Sequence, residues 1–286
     1  MPRMKNNSRF LLAGVMGQPI MHSRSPMLHN YWLEAHQLKG RYVPLAITPD
    51  GLAAALKALQ PLGFAGCNLT IPHKQAAMAV MDELDDASQK IGAISCVTVR
   101  GDGTLAGSNN DWIGFVRNLK EAKPDWQAKS GPAVVLGAGG GSRAVCYGLL
   151  QEGATEIRLV NRDVKRAEKL ASDLGGNIKA YAWDQRHALL AGASLLVNTT
   201  SLGMTGQPAL DLDLSKLPTS ALVSDIVYIP LETELLTKAK AHGNPTVNGL
   251  GMLLHQGPLA WGKWFGFEPA VTPELRALLE RDILAA

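Results

Sequence analysis

The sequence predicts an α/β protein of two domains, and three observations carry that prediction. Strand-like and helix-like segments alternate along most of the chain, which implies parallel sheets with ligand-facing loops at the strand C-termini. A chain of 286 residues with 46% hydrophobic content can bury two ordinary cores. The stretch Lys123-Pro-Asp-Trp-Gln-Ala-Lys-Ser-Gly131 is polar and carries proline and glycine, so it marks a boundary between two such alternating runs.

Residues 10–16 read as the first strand. Arg3, Lys5 and Arg9 before that apolar run resemble a secretory leader, but the run is short and leads straight into Gly17-Gln-Pro19, so a strand is the better reading. In Ser23-Arg-Ser25-Pro26 the serine followed by proline has the order of an N-cap and first helical position, opening a helix over 27–36. Strands follow at 42–47 and 66–69 with a helix at 51–59 between them, and Thr70-Ile-Pro-His-Lys74 is expected to start the next helix. Ser95 to Arg100 and Thr104 to Gly107 flank the turn Gly101-Asp-Gly103 as a hairpin. Asn109-Asn-Asp111 then opens a helix over 112–121.

Beyond the boundary, strands are expected at 133–136, 156–160, 178–182, 194–198 and 221–227, and two apolar helices close the chain. Ala133-Val-Val-Leu136 followed by Gly137-Ala138-Gly139-Gly140-Gly141-Ser142 is a strand, a glycine loop and a helix N-terminus, whose unpaired N–H groups and dipole suit an anion. The pattern fits Gly137-x-Gly139-x-x-Ser142, or Gly139-x-Gly141-x-x-Ala144, so the third small residue is not glycine. A tight strand-to-helix turn in another α/β protein has the same look. The next strand ends in Asn161-Arg162, where a dinucleotide fold reads the adenosine ribose. Arg162 with Arg166 one turn on suits a 2′-phosphate, and hence NADP, whereas an acidic residue would suit a free hydroxyl.

The net charge of +3 is scattered and aromatics are few, which leaves nucleic acid without support and acidic small molecules compatible. Cys67, Cys96 and Cys146 have no paired spacing and suit a reducing, cytoplasmic compartment; with the histidines they show no metal-ligand pattern, and no metal is expected. No run approaches the roughly 18 apolar residues that span a bilayer, and no membrane partner is expected.

Oxidising an alcohol with NADP requires a group that takes the hydroxyl proton as the carbonyl forms. Lys74, expected in the first turn of a helix where the dipole disfavours its charged form, is a candidate. Asp111 could hold the ammonium in place. Spacing does not pair them: most lysines at helix starts are solvated, and Asp111 could serve as a cap. Trp261, Trp264 and Phe265 read as helix-packing core.

Ser23-Arg-Ser25-Pro26, Asn68-Leu-Thr70-Ile-Pro72-His-Lys74, Asn109-Asn-Asp111, Gly137-Ala-Gly-Gly-Gly-Ser-Arg143, Asn161-Arg162 and Gly249-Leu-Gly-Met-Leu-Leu-His-Gln256 resemble, in order and spacing, the shikimate dehydrogenase family, which includes shikimate/quinate dehydrogenases. The resemblance covers nearly the whole chain. It implies a substrate-binding and catalytic domain from 1–122 and 248–286, with a Rossmann-type NADP-binding domain at 123–247 between them. It further implies that Lys74 and Asp111 are the catalytic pair, and that Ser23, Ser25, Thr70, Ser95, Tyr228 and Gln256 hold the substrate. Gly137 to Ser142, Asn161, Arg162, Arg166, Thr199, Thr200 and Gly249 would then hold NADP. The implied reaction is the reversible oxidation of shikimate to 3-dehydroshikimate, in aromatic amino-acid biosynthesis, by a monomer or homodimer.

Three departures from the family pattern keep a related substrate, quinate or another cyclic hydroxy acid, and NAD as cofactor in view. The family's Gly-Ala-Val-Asn-Thr reads Gly92-Ala-Ile-Ser95-Cys96, which replaces a substrate-binding amide by a shorter hydroxyl. Asn-Thr-Asp-Gly reads Asn109-Asn110-Asp111-Trp112, with a bulky ring beside the carboxylate or packed away from it. Asn-Arg-Thr reads Asn161-Arg162-Asp163, and Asp163 could repel a 2′-phosphate. A non-catalytic sensor of a dinucleotide and a small acid is a further reading, opposed by the intact Lys74 and Asp111.

Overall fold

A computed structural model describes residues 10–285; Arg3, Lys5 and Arg9 lie outside the described residues. The first half contains β1 (Leu11–Gly17), α1 (Ser25–Ala35), β2 (Gly40–Ala46), α2 (Leu52–Ala58), β3 (Gly66–Leu69), β4 (Glu83–Leu84), α3 (Asp86–Ile91), β5 (Cys96–Val99), β6 (Leu105–Ser108) and α4 (Asp111–Ala122). Its sheet has the order β2-β1-β3-β5-β6-β4. Strands β1, β2 and β3 run parallel, and β5 and β6 add to them as the expected antiparallel hairpin.

The second half contains β7 (Ala133–Leu136), α5 (Gly140–Gln151), β8 (Ile157–Asn161), α6 (Val164–Leu174), β9 (Ile178–Ala182), β10 (Leu195–Asn198), β11 (Leu222–Asp225), α7 (Glu234–His242) and β12 (Thr246–Val247). Its six strands are all parallel in the order β12-β11-β10-β7-β8-β9. That is the doubly wound dinucleotide order, and its switch point lies between β7 and β10. The strands read as continuous apolar runs because helices cover both faces, with Val134, Val135, Leu196 and Val197 fully buried.

The chain then returns to the first sheet as α8 (Leu250–Phe265) and α9 (Pro273–Ala285). Trp32, Leu250, Leu254, Trp261, Leu275 and Leu279 share one core with β1 and α1, so the closing helices belong physically to the first half. Trp261, Trp264 and Phe265 pack there as the sequence suggested. Arg143 at the start of α5 ties the halves together, donating to the Ile91 carbonyl at 2.9 Å and pairing with Asp173 at 2.6 Å.

Several elements differ from the sequence expectation. Residues 71–75 form turns, and only a short 3₁₀ helix follows at Ala76–Val80. The Lys74 carbonyl, which a helix would use internally, accepts from Ile94 N–H at 2.8 Å. That tertiary bond overrides local propensity and removes the helix-dipole argument for Lys74. Ser25 is the first helical residue rather than the cap; Arg24 holds the cap position, and Ser23 Oγ accepts the Ser25 N–H at 3.3 Å. Strand β11 stops at Asp225, because the Asp225 carboxylate accepts Val227 N–H at 3.0 Å and turns the chain. The short β4, α3 and β12 carry too few residues for a periodic signal.

Candidate active site

Lys74 Nζ donates to Asp111 Oδ2 at 2.5 Å, with the Asp111 side chain 3% exposed and Lys74 19% exposed. The carboxylate is thus almost wholly enclosed, while the lysine side chain keeps some access to solvent. Asp111 opens α4, and Asn109 holds it: Asn109 Oδ1 accepts Asp111 N–H at 3.0 Å while its amide donates to the Ala93 carbonyl at 2.9 Å. Beside Lys74, buried His73 hydrogen-bonds the Ile47 carbonyl through Nε2 at 2.8 Å. The turn bearing the amine is therefore fastened on both sides.

The serine loop after β1 is linked to the Asn109–Asp111 turn by a chain of contacts through Tyr42, Asn68 and Ser95. Ser25 is buried at the N-terminus of α1, and its hydroxyl meets the Tyr42 phenol, which donates to Asn68 Oδ1 at 2.7 Å. Asn68 in turn donates to the Ser95 carbonyl at 3.1 Å. The His29 ring stacks on Tyr42 at 4.1 Å and accepts from Trp261 Nε1 at 2.7 Å. Burial lowers the His29 imidazole to about 3, so this wall of the site is neutral. Tyr228, following β11, accepts Arg24 N–H at 3.5 Å and lies against Ser23, and burial pushes its phenol up.

Thr70 is half-buried where β3 leaves the sheet, its N–H bonded to the Met16 carbonyl at 3.0 Å. Gln256 is half-buried on α8, stacked over Gly114 in the first turns of α4. Ser95 lies beside the Asn109–Asp111 turn. It is 1% exposed, and its Oγ accepts Asn110 N–H at 2.9 Å, so the hydroxyl supports the Asn109–Asp111 turn. Trp112 packs edge-on against Tyr147 of α5, the ring centroids 5.4 Å apart.

In the second half, Gly137 turns with φ +109°, a conformation that a side chain would strain. A Cβ on Gly140 would lie 3.3 Å from Lys74 Cβ and 3.4 Å from its Cδ, so the glycine loop packs on the stem of the Lys74 side chain where the two halves meet. Ser142 Oγ accepts Gly139 N–H at 3.1 Å and donates to Thr199 Oγ1 at 2.5 Å, whose own proton goes to the Leu136 carbonyl at 2.6 Å. This chain clamps the loop across the switch point. The N–H groups of Gly140 and Gly141 in the first turn of α5 have no intrahelical acceptor and are placed for an anion. No side chain lies within 4 Å of a Cβ built on Gly139, which leaves room above the loop. These features fit a dinucleotide pyrophosphate.

Thr200 bonds Asn198 Oδ1 through its N–H at 3.1 Å and hydroxyl at 2.8 Å, shaping the turn beyond β10. Gly249 lies directly on the Ile226 carbonyl, where no Cβ fits. Asn161 donates to the Asp163 carbonyl at 2.8 Å, and Arg162 and Arg166 are exposed at the far end of the glycine loop's sheet edge. Asp163 is the N-cap of α6, its carboxylate accepting Lys165 N–H at 3.1 Å. Among the described residues, no group of three or more His, Cys, Asp or Glu could hold a metal.

One buried acid was not singled out from sequence. Asp225, fully buried, accepts from Asn198 Nδ2 at 3.0 Å, Val227 N–H at 3.0 Å and Thr233 Oγ1 at 2.7 Å, joining the 199–204 turn to the segment that carries Tyr228. Its only sequence signal was its place at a strand end. Asn68 and Asn109 stood in quoted motifs, yet Asn68 bonds Tyr42 and the Ser95 carbonyl, and Asn109 the Ala93 carbonyl, all more than a dozen residues away in the chain.

A family model described as the shikimate dehydrogenase substrate binding domain matches residues 15–97, and one described as shikimate / quinate 5-dehydrogenase matches residues 119–205. The shikimate dehydrogenase (NADP(+)) of Paramagnetospirillum magneticum is 53% identical over 268 residues, 94% of this chain and 97% of that protein. The crystal structure of shikimate 5-dehydrogenase from Thermus thermophilus in complex with NADP(H) and shikimate superposes with a TM-score of 0.84 at 36% identity, covering 96% of this chain and 100% of that one. Quinate dehydrogenase from Corynebacterium glutamicum in complex with NAD superposes with a TM-score of 0.86 at 31% identity, covering 97% and 99%.

Proposed function

The chain belongs to the shikimate dehydrogenase family, and from that premise we propose that it oxidises shikimate reversibly to 3-dehydroshikimate with NADP, using Lys74 and Asp111 as the acid–base pair. The observation that carries this reading is the Lys74–Asp111 contact, with Gly140 of the glycine loop packed on the Lys74 stem. When bound, NADP supplies the hydride acceptor. Lys74 Nζ takes the hydroxyl proton as the carbonyl forms and returns it in the reverse direction, while Asp111 Oδ2 fixes where that amine points. A misplaced proton acceptor would forfeit the rate gain of a preset geometry.

Ser23 and Ser25 stand at the N-terminus of α1, an 11-residue helix, and so suit the substrate carboxylate. Thr70, Gln256 and Tyr228 take ring hydroxyls. Ser95 contributes by holding Asn110, and the ring contact of the family asparagine is made through water or by a neighbour. Gly137 to Ser142 hold the pyrophosphate, Thr199, Thr200 and Gly249 flank the nicotinamide, and Asn161, Arg162 and Arg166 hold the ribose phosphate. The two separate sheets support a division into a substrate-binding domain of 1–122 with 248–286 and an NADP-binding domain of 123–247. Three free, buried cysteines suit a cytoplasmic enzyme, acting as a monomer or homodimer on a small acid. No helix among the described residues is long and apolar enough to cross a membrane.

A second reading, a paralogue acting on quinate or another cyclic hydroxy acid with NAD or NADP, is favoured by one observation: Ser95 is buried and its hydroxyl bonds Asn110. Initial rates with shikimate, quinate and aminoshikimate against both cofactors separate the two. Highest kcat/KM with shikimate and NADP supports the first; a higher value with quinate or NAD replaces it by the second.

A further inference from the structure

The loop bearing Ser23 and Ser25 is attached to an element that the family motifs do not include. The Arg24 guanidinium forms an ion pair through Nε with Asp282 Oδ2 on α9, and both contacting atoms are shielded from water. The same guanidinium donates from Nη1 to the His22 carbonyl at 3.2 Å. One side chain therefore grips the loop's own backbone and the last helix together. The Arg24 and Asp282 side chains are 15% and 34% exposed, so solvent screens the pair only partly.

We infer that Asp282 is a positioning residue for the substrate carboxylate site, acting through Arg24; the inference rests on the assignment of Ser23 and Ser25 to that carboxylate. Arg24 is the residue between the two serines and the cap of α1, so what anchors its side chain also anchors the short segment that carries both hydroxyls. Its N–H meets the Tyr228 phenol, which makes the loop a bridge between α9 and the second half of the chain. Without Asp282 the guanidinium is a shielded charge lacking its counter-ion, and it turns outward to water. The serines then lose their registration with the carboxylate, while the Lys74–Asp111 pair and the glycine loop stay as they are.

Steady-state kinetics on the full chain test this, with Asp282→Asn, Asp282→Glu, Arg24→Met and the double variant Arg24→Met/Asp282→Asn. Asp282→Asn and Arg24→Met are each expected to raise the KM for shikimate about tenfold, with kcat and the KM for NADP changed less than about twofold. Asp282→Glu should recover most of the loss, and the double variant should be no worse than the poorer single one. A merely structural role would move both substrates' KM and the melting temperature together. If Arg24→Met does not fold, the comparison of Asp282→Asn with Asp282→Glu decides. An unchanged shikimate KM in Asp282→Asn, an equal rise for NADP, or multiplicative effects in the double variant overturns the inference alone, provided the wild type binds and oxidises shikimate. A wild type that does neither overturns the proposed function and this inference with it.

Discussion

Lys74 Nζ and Asp111 Oδ2 lie 2.5 Å apart although 37 residues separate them and neither belongs to the other's element. The turn after β3 supplies the amine, and the start of α4 supplies the carboxylate. Lys74→Ala and Asp111→Asn should each lower kcat by about 10²–10⁴-fold, with far-ultraviolet circular dichroism unchanged. The double variant should lose little more than either single one, because the two groups act as a unit. Additive losses would show that they act independently.

Arg162 and Arg166 are exposed beside the end of β8, free to meet a 2′-phosphate. Replacing either by Ala should raise the KM for NADP about tenfold and leave that for NAD nearly unchanged, an effect that added salt diminishes. Asp163 is occupied as a helix cap, so Asp163→Asn should shift the NADP to NAD preference only slightly. Cofactor titrations at two ionic strengths check both.

Burial raises the Asp225 carboxyl from 3.8 to about 6, against the opposing hydrogen bonds from Thr233, Val227 and Asn198. A folded-state value above the unfolded one means that the contribution to stability is complete below pH 4 and is lost as pH rises through about 6. The interval corresponds to about 3 kcal/mol. Asp225→Asn removes the charge, keeps an oxygen to accept from Asn198 and Val227 and donates its amide to Thr233 Oγ1 where the carboxylate accepted, so its urea stability should show less of this decline. Parallel pH profiles would refute the assignment.

The Ser142–Thr199 bond clamps the glycine loop across the switch point. Ser142→Ala should cost about 1 kcal/mol in urea unfolding and raise the KM for NADP several-fold, while the KM for shikimate stays put.

Trp112 packs on Tyr147 between α4 and α5. Trp112→Ala should destabilise the protein by about 2–3 kcal/mol and leave the ranking of shikimate against quinate unaltered. A changed ranking would place the ring at the substrate instead.

The alternation of strands and helices, the glycine loop and the polar Pro- and Gly-bearing stretch at Lys123–Gly131 are local patterns, and the strands β7, β9 and β10 appear within a residue of where the apolar runs lie. Short-range sequence carries such information because periodicity and turn chemistry act over a few residues. The Lys74 turn was misread as a helix for the opposite reason. Its carbonyl is taken by Ile94, twenty residues on, and no local rule can see that bond.

Amino-acid order alone thus determined the α/β class, the strand, glycine loop and helix unit, and the inventory of polar groups able to do chemistry. Tertiary structure alone decided that Lys74 meets Asp111 and packs against Gly140, that Ser95 supports the Asn109–Asp111 turn, and that Arg24 is held by the last helix. Each of those is a contact between segments far apart in the chain, settled by hydrogen bonding and burial that exist only once the two sheets and the returning helices have packed.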